Sequence, residues 1–271
     1  MAEQSSAELP RRAWRHLGRW LGRAWLAPWG AHRLRVTLAA SGERLAGGFF
    51  VIAPPRSWEL LRPCLQLLRE RVPVCVVGNG AGRDERARFS RAFPEIPRCE
   101  LPTLPGALWS HGSALNLLLR EVTAPFGIVD HDCYVFGDEL LAGLGCGERE
   151  LTLAVDLPGF FTWNERAGLR LPRTHWLFLN APLLRDLMRR HEMGCEKAER
   201  TPLRVASLLA TVGFGDRNFP PPHLPFYDTL HLLLAVGLAE GHTVRYLPAS
   251  DADIVHFGGA TRQRLRRLPD C

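Results

Sequence analysis

The chain has 271 residues, 46% of them hydrophobic and 23% charged, with a formal net charge of +6. These values describe an ordinary soluble globular protein, with one large α/β domain favoured over two small ones. No apolar run approaches the roughly 18 residues of a membrane span, and arginines interrupt each apolar stretch near the amino terminus, which excludes a secretory signal. Seven cysteines without close Cys-x-x-Cys spacing point to free thiols in a reducing, cytoplasmic setting rather than a disulfide framework. The modest positive charge suits anionic partners without choosing among nucleotides, lipid head groups and nucleic acid.

Residues 1–35 form a basic, tryptophan-rich arm. Read as a helix, residues 11–26 put Trp14, Leu17, Leu21 and Trp25 on one face and Arg12, Arg15, Arg19 and Arg23 on another. That pattern fits peripheral association with an anionic membrane surface, and it equally fits a helix docked on the protein body; a disordered tail is the third reading. From residue 47 strands and helices alternate. Strands are predicted at 48–53, 72–77, 126–130, 151–155, 176–179, 244–247 and 254–257. Helices are predicted at 57–71, 84–93, 111–122, 181–190, 202–212 and 227–240. Gly78-Asn79-Gly80-Ala81-Gly82 reads as a flexible turn, and Phe219-Pro220-Pro221-Pro222 as a stiff connector. Strands and helices at this spacing predict a mostly parallel sheet covered on both faces. The main domain then runs over 36–262, and a basic tail follows at 263–271.

Phe126 to Phe136 is the most informative stretch. An apolar strand drives into Asp130-His131-Asp132, and acidic groups at the carboxyl edge of an open α/β sheet sit where such folds bind ligands. Carboxylates there suit a hard divalent cation shared with a substrate's phosphates. A helix-cap or turn role is the plain alternative for both aspartates.

The order of these pieces resembles a GT-A glycosyltransferase of the family-2 type. Val74 to Gly80 resembles the nucleotide-binding half, and Gly112-Ser113-Ala114-Leu115-Asn116 resembles the Gly-x-Ala-x-Asn helix start. Asp130-His131-Asp132 stands at the Asp-X-Asp position. Tyr227-Asp228 through Tyr246 resembles the acceptor-side helix and strand, and Val255-His256-Phe257-Gly258-Gly259 resembles a terminal metal-ligating segment. The resemblance implies the GT-A fold, Rossmann-like with a mostly parallel central sheet. It implies a nucleotide-diphospho-sugar donor contacted by Pro54, Asn79, Asn116 and Asp130. It also implies a Mn²⁺ or Mg²⁺ ion held by Asp130, Asp132 and His256, and Asp228 as general base for inverting transfer. The acceptor class stays open among glycan, lipid-linked and protein hydroxyls, and no specific nucleic-acid partner is expected. Three departures stand out: Gly78-Asn79 replaces an expected aspartate, Pro54-Pro55-Arg56 replaces an Asn-bearing turn, and Tyr227-Asp228 offers one acid where a pair is usual. Gly78 and the missing second acid beside Asp228 keep open a catalytically silent GT-A-like binding module; a nucleotidyltransferase, which shares a sheet edge with carboxylates and metal, is a weaker reading, since Pro54-Pro55-Arg56 makes a poor triphosphate loop. Trp163 and His175 read as acceptor-pocket or packing residues.

Overall fold

The computed structural model describes residues 26–45, 47–103, 108–164, 169–198, 200–214 and 227–257. The arm residues Trp14, Leu17, Leu21 and Trp25, the connector 219–222, Gly258 onward with the basic tail, and the side chain of Trp163 lie outside the described residues.

In chain order the elements are α1 (Ala27–Ser41), β1 (Phe49–Ala53), α2 (Trp58–Leu68), β2 (Val74–Asn79), α3 (Arg83–Ala92), β3 (Arg98–Leu101) and α4 (His111–Glu121). Then come β4 (Phe126–Asp130), β5 (Cys133–Val135), β6 (Glu150–Asp156), β7 (Phe161–Asn164), β8 (Leu169–Pro172), β9 (Trp176–Leu179) and α5 (Ala181–Arg190). The chain continues through α6 (Leu203–Ala210), α7 (His231–Ala239), β10 (Thr243–Pro248) and β11 (Ile254–His256). Seven strands form one sheet in the order β10-β6-β9-β4-β1-β2-β3. Every pairing in it is parallel except those of β9 with β4 and β6. The fold is therefore α/β with a mostly parallel central sheet, as the alternation of elements predicts.

β1 shows why the sheet needs cover on both faces. All five residues are buried, and side chains alternate across a strand. Phe50 and Ile52 join the core with α4 and α5, while Phe49, Val51 and Ala53 join the core with α2. Gly127 of β4 is required by this packing: a Cβ there would lie 2.1 Å from the Phe49 ring.

The structure corrects several boundaries. α1 is one continuous helix across residue 35, and it packs against β3 and α4. Gly78 and Asn79 belong to β2 rather than to a turn; the chain turns at Gly80, whose φ is +87°. The helix expected from residue 227 begins at His231, so Asp228 lies before it and does not open it. β3, β5 and the β7–β8 hairpin are additional strands, each only three or four residues long. The six described cysteines are all free, and none of the described helices is long and apolar enough to cross a membrane.

Candidate carboxylate–histidine centre

β4 ends at Asp130, which pairs in register with Ile52 of β1, so its carboxylate stands at the carboxyl edge of the parallel strands. A two-residue turn leads to β5, which pairs antiparallel with β11 and opposes His256 to Cys133. The Phe257 N–H donates to the Asp132 carbonyl at 2.9 Å, closing this ribbon beside the turn. His256 is thereby brought to both aspartates. Its Nε2 lies 3.4 Å from Asp132 Oδ1 and 3.8 Å from Asp130 Oδ2.

A second histidine comes from the turn between β8 and β9. The His175 carbonyl accepts the Asp130 N–H at 2.9 Å, and its Nδ1 lies 3.0 Å from Asp130 Oδ2. The His175 and His256 rings stack with centroids 3.5 Å apart and planes 22° from parallel. Phe160 meets both of them edge-on. His175 therefore stands beside Asp130 and His256; its ring contacts fit the packing reading, and its hydrogen bond to Asp130 adds a contact that reading did not include. Ligand atoms of Asp130, His175 and His256 all lie within 4.8 Å of one another, a spacing that suits a shared cation.

A third imidazole stands at the start of α4, where His111 Nε2 is 3.8 Å from Asp130 Oδ1. Its approach is built by two asparagines. Asn79 donates to the Trp109 carbonyl at 2.8 Å and accepts the Trp109 N–H at 3.0 Å, fixing the segment ahead of His111. Ser110 then caps the helix by accepting the Ser113 N–H. Asn116 accepts the Cys195 N–H at 2.7 Å, and Gly112 allows the 195–196 backbone to lie against the helix, since a Cβ would sit 2.6 Å from Glu196 Cα. Both asparagines of the predicted donor set thus spend amide groups on backbone. Pro54 is half-buried just past β1. Beyond it, Arg56 and Trp58 donate backbone N–H groups to Glu85 at 3.0 Å each.

The electrostatics follow from this crowding. Burial pushes the Asp130 carboxyl up, but the His175 hydrogen bond and the charges of His111, His175 and His256 outweigh it and hold the group at about 2. Asp132 is 5% exposed, a buried carboxylate. Burial pushes the neighbouring His131 imidazole down, keeping it neutral against the opposing pull of both aspartates.

Asp228 is bonded elsewhere. Its carboxylate lies 2.6 Å from Lys197 Nζ and accepts the Thr229 N–H at 2.8 Å. Burial raises its pKa, and the Lys197 hydrogen bond and charge more than reverse this. A 570 Å³ cavity lies between α4, α5 and the 192–196 loop, lined by Trp109, Asn116, Arg120, Arg185 and Met188 among others. None of Asp130, Asp132, His175 or His256 lines it, so the cavity and the carboxylate–histidine centre are separate features.

Residues 59–184 match the family model of the StrH glycosyltransferase N-terminal domain. A comparison with curated proteins finds no match. Among solved structures, the galactosyltransferase LgtC, in complex with donor and acceptor sugar analogues, has 12% identity and a TM-score of 0.46, covering 78% of this chain and 87% of that one. A 4-diphosphocytidyl-2C-methyl-D-erythritol synthase has 12% identity and a TM-score of 0.46, covering 83% of this chain and 98% of that one. The apo form of the glycosyltransferase GlyE of Streptococcus pneumoniae TIGR4 has 13% identity and a TM-score of 0.41, covering 83% of this chain and 52% of that one. The matched stretch 59–184, less than half of the chain, carries Asp130, Asp132 and His175 on the mostly parallel sheet.

Proposed function

We propose that the chain transfers a sugar from a nucleotide-diphospho-sugar to an acceptor hydroxyl, with inversion, at the centre formed by Asp130, Asp132, His175 and His256. The observation that carries this reading is the convergence of two carboxylates and two imidazoles at the carboxyl edge of the sheet. A divalent ion held there would supply Lewis-acid stabilisation of the departing diphosphate. Among the chain's own groups, Asp130 is ionised across the physiological range, and Asp132 is buried beside it. Asp130 thus offers an oxygen donor without first losing a proton. His111, at the start of α4, is a further nitrogen on the same carboxylate, suited to meet the donor's phosphates.

In the transfer, the acceptor oxygen forms a bond to the anomeric carbon as the carbon–oxygen bond to the diphosphate breaks. The acceptor proton goes to Asp228, and the bond's electron pair leaves with the diphosphate. Asp228 is ionised, hence able to accept, but Lys197 lowers its basicity. General-base catalysis weakens as the base's pKa falls below the working pH, so proton transfer is late in this scheme. Asn79 and Asn116 act on the donor indirectly, by fixing Trp109 and the 195–196 backbone around α4. Glycan, lipid-linked and protein hydroxyls remain the acceptor classes. The test is release of nucleoside diphosphate from a panel of nucleotide-sugars, with and without a chelator.

The Asp228–Lys197 pair favours one second reading, a binding module without turnover, because it occupies the carboxylate assigned as base. In that case the chain binds nucleotide-sugars and releases no diphosphate from any of them.

A further inference from the structure

We infer that this centre takes a borderline first-row transition ion, such as Co²⁺ or Zn²⁺, in preference to Mg²⁺, and that His175 is the residue that sets the preference. The inference rests on the metal reading of the proposed function and extends it to the identity of the ion. Mg²⁺ demands near-ideal octahedral oxygen ligation and dehydrates reluctantly. Imidazole nitrogen suits the later ions, whose affinities rise from Mn²⁺ through Co²⁺ and Ni²⁺. An Asp-X-Asp pair with His256 alone offers two carboxylates and one nitrogen. His175 adds a second nitrogen, 3.0 Å from the same Asp130 oxygen that His256 faces.

The two rings are not loosely placed. They stack at 3.5 Å, and Phe160, itself only 5% exposed, meets them at 86° and 65°. Backbone bonds hold the support in turn, since the Arg173 N–H donates to the Phe160 carbonyl at 2.8 Å and the Asp130 N–H to the His175 carbonyl at 2.9 Å. Swinging His175 away would break the stack and the Phe160 contact together. A preorganised nitrogen pair is what a transition ion exploits and Mg²⁺ does not.

The test is equilibrium metal binding to the full-length, chelator-stripped protein, read by competition with an indicator for Mg²⁺, Mn²⁺, Co²⁺ and Zn²⁺, and by the visible spectrum of the Co²⁺ form. Wild type is expected to bind Co²⁺ and Zn²⁺ at least about 100-fold tighter than Mg²⁺. His175→Gln, which keeps a hydrogen-bond donor for Asp130, should weaken Co²⁺ and Zn²⁺ by on the order of 10- to 100-fold, alter the Co²⁺ spectrum and leave Mg²⁺ unchanged. Phe160→Leu should move the same way by less. Asp130→Asn identifies ions held elsewhere, including at the half-buried group His191, Glu240 and His242, because it disables only this centre. Thermal midpoints of the variants close to that of wild type establish that each is folded. An unchanged Co²⁺ affinity and spectrum in His175→Gln overturns the inference while leaving the metal reading standing, as does Mg²⁺ binding as tight as Co²⁺. Identical binding of every ion by wild type and Asp130→Asn overturns the metal reading itself.

Discussion

His175 and His256 come from turns and strands 81 positions apart in the chain, yet their rings stack at 3.5 Å, and both present a nitrogen to Asp130 Oδ2, at 3.0 and 3.8 Å. Neither ring is near the other in sequence. The sheet brings them together: β9 runs antiparallel to β4 and delivers the His175 turn to the end of β4, and the β5–β11 ribbon delivers His256. One carboxylate is thereby shared by two elements that enter from opposite sides of the chain.

Asp132, a ligand in the proposed metal centre, has little freedom to be replaced, being buried and 3.4 Å from His256 Nε2. Asp132→Asn keeps its volume and removes its charge. We expect transfer to fall by more than about 100-fold with loss of metal affinity, and the thermal midpoint to change little. Isotope-labelled transfer assays with parallel metal titrations check this.

Asp228→Asn separates the proposed base from the proposed metal centre. A positioned base contributes about 100- to 10,000-fold in rate, so turnover should fall by that factor with metal affinity and donor affinity preserved. Lys197→Met should raise the basicity of Asp228 and shift the acid limb of the pH–rate profile upward, because it removes the cation now 2.6 Å from the carboxylate. An Asn variant with wild-type turnover would place the base elsewhere.

Much of this arrangement was legible in the sequence. The apolar run Phe126 to Val129 ending in Asp130 gave the central strand and its terminal acid, because a strand buried on both faces reads as continuous apolar residues. β9 and the helix at 181–190 were placed to the residue for the same reason of strong local pattern. The short strand that carries His256 was legible as well. His175 and His111 were not legible: each is a single histidine whose role depends on a long-range pairing, and no local spacing records that β9 is antiparallel to β4. β3 and the β7–β8 hairpin were missed because polar and charged residues interrupt their short runs, Arg98-Cys99-Glu100-Leu101 among them, where β9 is continuously apolar. Leu230, with φ of +70°, breaks the apparent helical run that starts at Tyr227, so the helix begins at His231.

Acid stability offers a test away from the catalytic centre. His231 is fully buried in the core, and its Nε2 meets the Pro172 carbonyl at 3.1 Å. Burial lowers its pKa from 6.5 to about 4. Above pH 6.5 the group is neutral in both states. As pH falls from there towards 4, the unfolded chain binds a proton that the folded chain refuses, so stability declines and the decline ends near the folded value. A shift of this size corresponds to roughly 3 kcal/mol. His231→Gln, which cannot titrate, should flatten the stability profile across that window in denaturant titrations, whatever its offset at neutral pH. A wild-type slope retained in the variant would assign the acid loss to other groups.

Gly127→Ala tests the packing that aligns β4 with β1. The added methyl would lie 2.1 Å from the Phe49 ring, and Phe49 in turn packs on Trp176 and Phe178. Overpacking of this kind costs about 1–3 kcal/mol. We expect a lowered unfolding midpoint and a partial loss of metal affinity, since Asp130 lies three residues along the displaced strand. Chemical denaturation and indicator competition measure the two effects separately.

The most direct measurement is nucleoside diphosphate release from a nucleotide-sugar panel, run on the wild type and on Asp132→Asn, with added divalent ion and with chelator. The account predicts release from at least one donor by the wild type with metal, its loss on chelation, and its loss in the Asn variant under both conditions. Release that continues undiminished with chelator, or that is the same in Asp132→Asn, would contradict a metal-assisted transfer at the Asp130–Asp132–His256 centre.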